Sequence, residues 1–453
     1  MPKVTFRRLP IILLVLLAGY VFWIWDGSAP EISWDDLGAA YGNNAKIDLL
    51  ISDEGGGLKE VYVEARQDGQ VRELFSEEYR ALGWFNRSGT SQRSLAVSLQ
   101  DAGLQQGEFE LVVRAVDQPI LGFWSRSTEG SKRIVFDARP PILTVLSSTH
   151  VIRQGGSELA IFKSSEDLSK AGVQVGERFF PGFLQGTGER QFAVLFALAH
   201  DEAKDLPFLL HGVDGAGNET RVRLAVEVIP RRFRSRRINI SDGFIEKVAS
   251  EILPRTSEIE AGTTLVATFV KINSDLRRIN HRFIQKLSGE TATGPLWSEP
   301  FVQLSRSQAE ANFADQRSYY YGEEIVDRQT HQGFDLASVA RSPVEAANAG
   351  RVLFADYLGI YGNCVILDHG LGLLSLYGHL SVIEVSKGDA IRPGQSLGRT
   401  GETGLAGGDH LHFSTIVSGV QVSPLEWWDP SWVGIHIRDR LETSSLPAER
   451  ASR

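Results

Sequence analysis

Cysteine is almost missing from this chain of 453 residues. Cys364 stands alone, so no intrachain disulfide can form. A basic excess is missing too: 47 Lys and Arg face 56 Asp and Glu, a net charge of −9 that argues against a general nucleic-acid binder. Acidic ladders of the kind that bind calcium are also lacking. The turn-like "VDGAGN" at 213–218 has too few carboxylates for a calcium loop.

Long apolar stretches are scarce as well, and the one that stands out is at the N-terminus. Leu9–Trp25 is preceded by Lys3, Arg7 and Arg8 and followed by Asp26, Glu31, Asp35 and Asp36. Positive before and acidic after predicts a helix with its N-terminus inside the cell and the bulk of the chain outside. The expectation is a single-pass inner-membrane anchor over 9–25, a cytoplasmic tail over 1–8, and the rest in the periplasm. The alternative is a signal peptide cleaved near Gly27-Ser28-Ala29, which would release a secreted protein.

What is present suggests a mainly β multidomain chain. "KIDLLIS" (46–52), "LKEVYVEA" (58–65), "FELVVRAV" (109–116), "ILTVLSS" (142–148), "QFAVLFALA" (191–199) and "TRVRLAVEVI" (220–229) are strand-like runs bounded by turn residues. A faint internal echo, "APEISW" against "RPPILTV", divides them into two Ig-like β-sandwiches, 30–138 and 139–230. "PRRFRSRR" (230–237) reads as a solvated linker, with contact to anionic lipid or wall polymer as the sharper alternative.

Helical periodicity follows. Phe244, Ile245, Val248 and Ile252 fit a helix capped by Ser241 or Asp242 and stopped by Pro254, and Leu276–Leu287 supplies a second. The segment 231–295 is therefore a basic linker and helical hairpin, with a connector as the default role and a lid as the alternative. From 296 to 430 glycine-punctuated strands predict a compact antiparallel β domain, and 431–453 reads as a tail. Cys364 sits in an apolar strand pattern and is expected in the core.

Five of ten histidines fall between 331 and 412. In "HLH", His410 and His412 are two apart, which puts both on one face of a strand. In "HQGFD", His331 and Asp335 are four apart, with Gly333 between them; on a straight strand they would lie about 13 Å apart, so a bend is required. The missing side chain at Gly333 suggests room for an ion. His331, Asp335 and His412 would leave a fourth tetrahedral position for water, the pattern of a catalytic zinc. His379 in "LYGH" and His410 would then serve as proton acceptor and oxyanion or leaving-group partner. His369 in "LDHG" reads as a strand-end residue outside the site.

The stretches "HQGFDLA", "AANAGRVLFA", "YGNCVILDHG", "LSLYGHLS", "VSKGDAIRPGQSLGRTGETG" and "GGDHLHF" resemble the lysostaphin/LytM-type zinc endopeptidases of bacterial cell walls. The resemblance covers 296–430 and implies an antiparallel β-sheet peptidase domain with a loop-walled groove. It implies one Zn2+ per chain, held by His331, Asp335 and His412, with His379 and His410 catalytic. The implied substrate is peptidoglycan, with the D-alanyl–diaminopimelate cross-link favoured by the expected topology. A non-enzymatic wall-binding regulator or amidase activator is the alternative, although such members have typically lost zinc ligands. The family often has Pro before the HxH motif and an acidic residue after its Phe. Here those positions are Asp409 and Ser414, which implies altered support of the ligands. The Ig-like units would serve as spacers or docking modules for envelope proteins.

Overall fold

The computed structural model describes residues 14–16, 19, 28–34, 37–82, 87–88, 90–118, 125–186 and 190–445. Most of the expected membrane helix over 9–25 lies outside the described residues, and among those described no helix is long and apolar enough to cross a membrane. Strands dominate the rest.

The chain separates into two compact units, 1–141 with 213–219, and 142–212 with 220–453. In the first, a three-stranded sheet (Glu31–Ser33, Lys46–Ser52, Gln92–Ser98) and a five-stranded sheet built on Leu58–Gln67, Gly107–Asp117 and Ser127–Phe136 share one core. "KIDLLIS" shows why: Ile47, Leu49 and Ile51 alternate inward, and each is at most 2% exposed. "VDGAGN" is a turn, with Asp214 Oδ1 accepting the backbone N–H groups of Ala216 (2.8 Å) and Asn218 (2.9 Å).

In the second unit, sheets led by Ser157–Ser164, Gln191–Ala197 and Leu168–Val175 precede the C-terminal region. The strand Gln191–Ala197 is buried at every residue, not at every second one. Its apolar core runs on without a break into the C-terminal sheet, through Phe196, Leu198, Val422 and Trp427. Two residues expected in the tail complete this joint. His436 and Arg440 bind the fully buried Glu158 at 2.8 and 3.0 Å. Pro430–Val433, Gly434–Arg438 and Asp439–Ser445 are helical, so the first part of 431–453 is structured and not a tail.

The segment 231–295 also differs from a linker. Ser235–Ile240 is a strand, paired in parallel with Gln316–Tyr321 in the sheet that also holds Glu324–Thr330. Ser241 then caps the helix Asp242–Ile252 by accepting the Phe244 N–H. Leu265–Val270 and Arg277–Leu287 follow, joined by a π-helical stretch at Lys271–Leu276. Their apolar faces pack on Leu358, Ile360, Tyr361 and Leu405. Gly404 N–H donates to Glu251, and Ile360 N–H donates to Asn280.

The C-terminal sheet runs Gln308–Ala311, Phe334–Ala337, Leu411–Val417, Leu373–Leu380, Asn363–Gly370, Gly350–Tyr357 and Ala390–Ile391, antiparallel throughout. Cys364 is fully buried in it.

Candidate metal centre and active site

Three neighbouring strands of that sheet carry the histidines. Asp335 lies directly opposite His412 across one ladder, and His412 lies opposite Gly378 across the next. Directly opposed side chains sit about 5 Å apart at Cβ, so Asp335 and His412 meet by register alone. His331 precedes its strand, and the chain bends between His331 and Phe334. That bend brings its Nε2 to 2.8 Å from Asp335 Oδ1 instead of the span of an extended strand.

His379 arrives differently. Asn363 pairs with Leu380 but Val365 pairs with Tyr377, so the strand Leu373–Leu380 carries one residue too many between them. The bulge puts His379 at φ +63°, a left-handed conformation, and turns its ring into the pocket. His410 lies two residues before His412, and its Nε2 is 3.5 Å from Asp335 Oδ1. All five side chains line one pocket of about 340 Å³.

His331 Nε2, His412 Nδ1 and Asp335 Oδ1 lie 2.8 to 3.1 Å from one another. The protons can be followed. His331 Nδ1–H donates to the Asn312 carbonyl at 3.0 Å, which leaves Nε2 a bare lone pair. Ser414 Oγ–H donates to the Gln332 carbonyl at 2.7 Å, so its oxygen accepts from His412 Nε2–H at 2.9 Å. His412 Nδ1 is therefore also bare. Three acceptors thus converge with no proton of their own to share, an arrangement that suits a bound cation.

Electrostatics point the same way. The Arg317 guanidinium on Asp335 Oδ2 favours the ionised carboxylate, even though the group is buried. Burial pushes His412 down to about 4 and His379 well below its ordinary value. A metal ligand must be a neutral imidazole or an ionised carboxylate, and the site favours both. His379 Nδ1–H donates to Thr403 O (2.7 Å) and His410 Nδ1–H to Gly408 O (2.8 Å). Each ring is thereby held with its Nε2 free for a proton.

Some residues that shape the site had no signal in the motifs. Arg317 donates to Asp335 Oδ2 at 2.8 Å, so one carboxylate oxygen is held while the other faces the histidines. Ile238, Phe244, Arg277, Tyr319 and Tyr361 wall the pocket from the strand Ser235–Ile240, the helices and the loops. Only the spatial return of the segment 235–287 over the sheet makes Ile238, Phe244 and Arg277 part of it. Asp409 accepts the Arg341 N–H at 3.1 Å, and His369 is fully buried with Nδ1 on the Ala349 carbonyl at 2.6 Å.

One expectation is corrected. A Cβ on Gly333 would not fill an ion's place. It would stand 2.5 Å from the Phe413 carbonyl, 2.6 Å from Ser414 Oγ and 2.7 Å from His412 Nε2. His412 Nε2 is the nitrogen turned away from the three-acceptor cluster. Gly333 is bare so that the neighbouring strand can come close.

Comparison with known proteins follows the same residues. Residues 329–424 match the family model of Peptidase family M23. Over 95 residues the chain is 37% identical to the DD-carboxypeptidase/endopeptidase Mpg of Neisseria meningitidis serogroup B, covering 21% of this chain and 22% of that one. It is 35% identical over 107 residues to the murein hydrolase activator EnvC of Escherichia coli, covering 24% and 26% respectively. It is 32% identical over 122 residues to the peptidoglycan DD-endopeptidase ShyA of Vibrio cholerae, covering 27% and 28%. The match therefore spans between a fifth and a third of each of these relatives.

Proposed function

From a chain that carries a Peptidase family M23 domain of the LytM/lysostaphin type, we propose a zinc-dependent endopeptidase that hydrolyses the peptide cross-links of peptidoglycan. The observation that carries this reading is the convergence of three proton-free acceptors with two further histidines around one pocket. His331, Asp335 and His412 would hold the zinc. When bound, zinc supplies Lewis acidity and brings the pKa of its water to about 7. Of His379 and His410, the neutral one would take the proton of the attacking water and pass it to the leaving amine; the other, in its protonated form, would donate from Nε2 to the carbonyl oxygen as charge develops there.

Relatives named as DD-endopeptidases support the D-alanyl–diaminopimelate bond as the target. The charge pattern around Leu9–Trp25 supports an inner-membrane anchor with the peptidase in the periplasm. The two-sheet unit that follows it would act as an Ig-like spacer or docking module for envelope proteins. A relative named as a murein hydrolase activator supports a second reading, a regulator that uses the groove without cutting.

The test is incubation of the full chain, with zinc content measured, on isolated cross-linked peptidoglycan, followed by mass spectrometry of the products. Loss of dimeric muropeptides with the wild type but not with His331→Ala is the expected result, and the product masses name the bond. Zinc retained with no product would favour the regulator. No metal bound at all would overturn the enzyme reading.

A further inference from the structure

Beside the metal pocket lies a second cavity, of about 710 Å³, and its walls are basic. Arg277, Arg278, Arg282, Arg317 and Arg328 line it, and Asp201 is the single carboxylate residue among its lining. That is a local reversal in a chain whose net charge is −9. Three of the five arginines come from the helix Arg277–Leu287, whose sequence RRINHRFIQKL contains no acid at all. Arg278 and Arg282 are four residues apart on one face, a like-charge spacing that weakens a helix.

The charges are also poorly compensated. Arg278 pairs with Asp275 at 2.8 Å and Arg317 with Asp335 at 2.8 Å. Among the described residues, Arg277, Arg282 and Arg328 have no carboxylate partner. Arg277 is instead positioned by a neutral residue: its Nε donates to the Asn273 carbonyl at 2.9 Å and its Nη2 to Asn273 Oδ1 at 2.7 Å. It is half-buried, and it lines the metal pocket as well as the basic cavity. Arg317 does the same. The two cavities therefore share a wall of two guanidinium groups.

We propose that the basic cavity is a carboxylate subsite, which holds a free carboxylate of the same peptide whose scissile bond lies at His331, Asp335 and His412. Arg277, Arg282 and Arg328 make the contacts. This rests on the peptidase reading above and adds to it what part of the substrate is recognised. A guanidinium presents a planar fork that matches a carboxylate with two parallel hydrogen bonds. An uncompensated guanidinium beside a reaction centre is completed when a ligand brings the missing charge. Cross-linked wall peptides carry several free carboxylates, and a recess next to the cutting site selects for one at a fixed distance from the bond.

The experiment uses the zinc-loaded full chain and two substrates, a soluble cross-linked dimeric muropeptide and the same dimer with its free carboxylates amidated. The variants are Arg277→Gln, the pair Arg282→Gln with Arg328→Gln, and the same pair as Lys. For the intact dimer, loss of the charge-assisted contacts is expected to raise KM about tenfold or more, with kcat within about twofold and zinc content unchanged. Amidation should cost the wild type the same factor and cost the Gln variants nothing further. The Lys pair should recover part of the loss. Equal KM for both substrates in the wild type, or a fall in kcat with KM unchanged, overturns the subsite. If the wild type cuts neither substrate, the peptidase reading fails by itself. Calorimetric binding of the two dimers then decides the subsite, and equal affinity for both overturns it.

Discussion

A single absent methyl group governs how close two strands come at the centre of the site. Gly333→Ala would drive a Cβ against His412 Nε2 and against the Phe413 carbonyl, a backbone atom that cannot move without shifting the sheet. The variant is expected to lose about 1–3 kcal/mol of stability and to retain less metal, readable as a lower melting temperature and lower zinc content after dialysis. Ser414 acts through a proton instead of through volume. It accepts from His412 Nε2–H and so keeps the lone pair of Nδ1 facing Asp335 and His331. Ser414→Ala removes that acceptor while leaving the ligand set intact. Zinc affinity should fall about 10- to 100-fold, measured by competition with a chelator, with little change in melting temperature. An unchanged affinity would mean that the tautomer is fixed by something else. The ligand types and spacings are readable in the sequence because chemistry restricts them. The reason for Gly333 is not, because the approach of another strand leaves no local mark.

At the scale of elements, alternation along a strand was enough to place His410 and His412 on one face, whereas Asp335 opposite His412 comes from the register of two strands. At "LYGHL" alternation is interrupted, because a bulge inserts an extra residue. The histidine at φ +63° sits in a region where β-branched side chains clash and Asn is tolerated. His379→Val should therefore unfold at lower denaturant than His379→Asn, by about 1–2 kcal/mol. Equal midpoints would show that the bulge relaxes when the ring is removed. The first helix is legible to its cap, since Ser241 and the spacing of Ile245, Val248 and Ile252 are local signals. The strand Ser235–Ile240 is not. Its sequence, SRRINI, is polar enough to pass for a linker, and its pairing partner lies about eighty residues on, at Gln316–Tyr321.

At the scale of the second unit, the strands between 142 and 229 and the C-terminal sheet share one core, which two apparent domains in the sequence did not suggest. The joint is sealed by polar groups on elements far apart in the chain. Trp427 Nε1–H donates to Ser157 Oγ at 3.2 Å, and Ser157 N–H donates to Glu426 Oε2 at 3.0 Å. Burial pushes the Glu426 carboxyl up from 4.5 to about 7, against the Ser157 amide and Arg153, which favour the charged form. The sign of the pH effect follows. Below 4.5 both folded and unfolded chains carry this proton, and its contribution is fully present. Between 4.5 and about 7 the unfolded chain releases it while the folded chain keeps it, so rising pH favours unfolding. The loss is complete once pH passes the folded value, and its size is on the order of 3 kcal/mol. Glu426→Gln resembles the protonated form and can still accept from Ser157. The variant should match the wild type near pH 4 and exceed its stability near pH 8, by an amount on the order of the same 3 kcal/mol. Denaturant unfolding of both proteins across that range checks it. Parallel curves for the two would show that the carboxylate is solvated in the folded joint, and that the shared core, not this contact, sets how the second unit responds to pH.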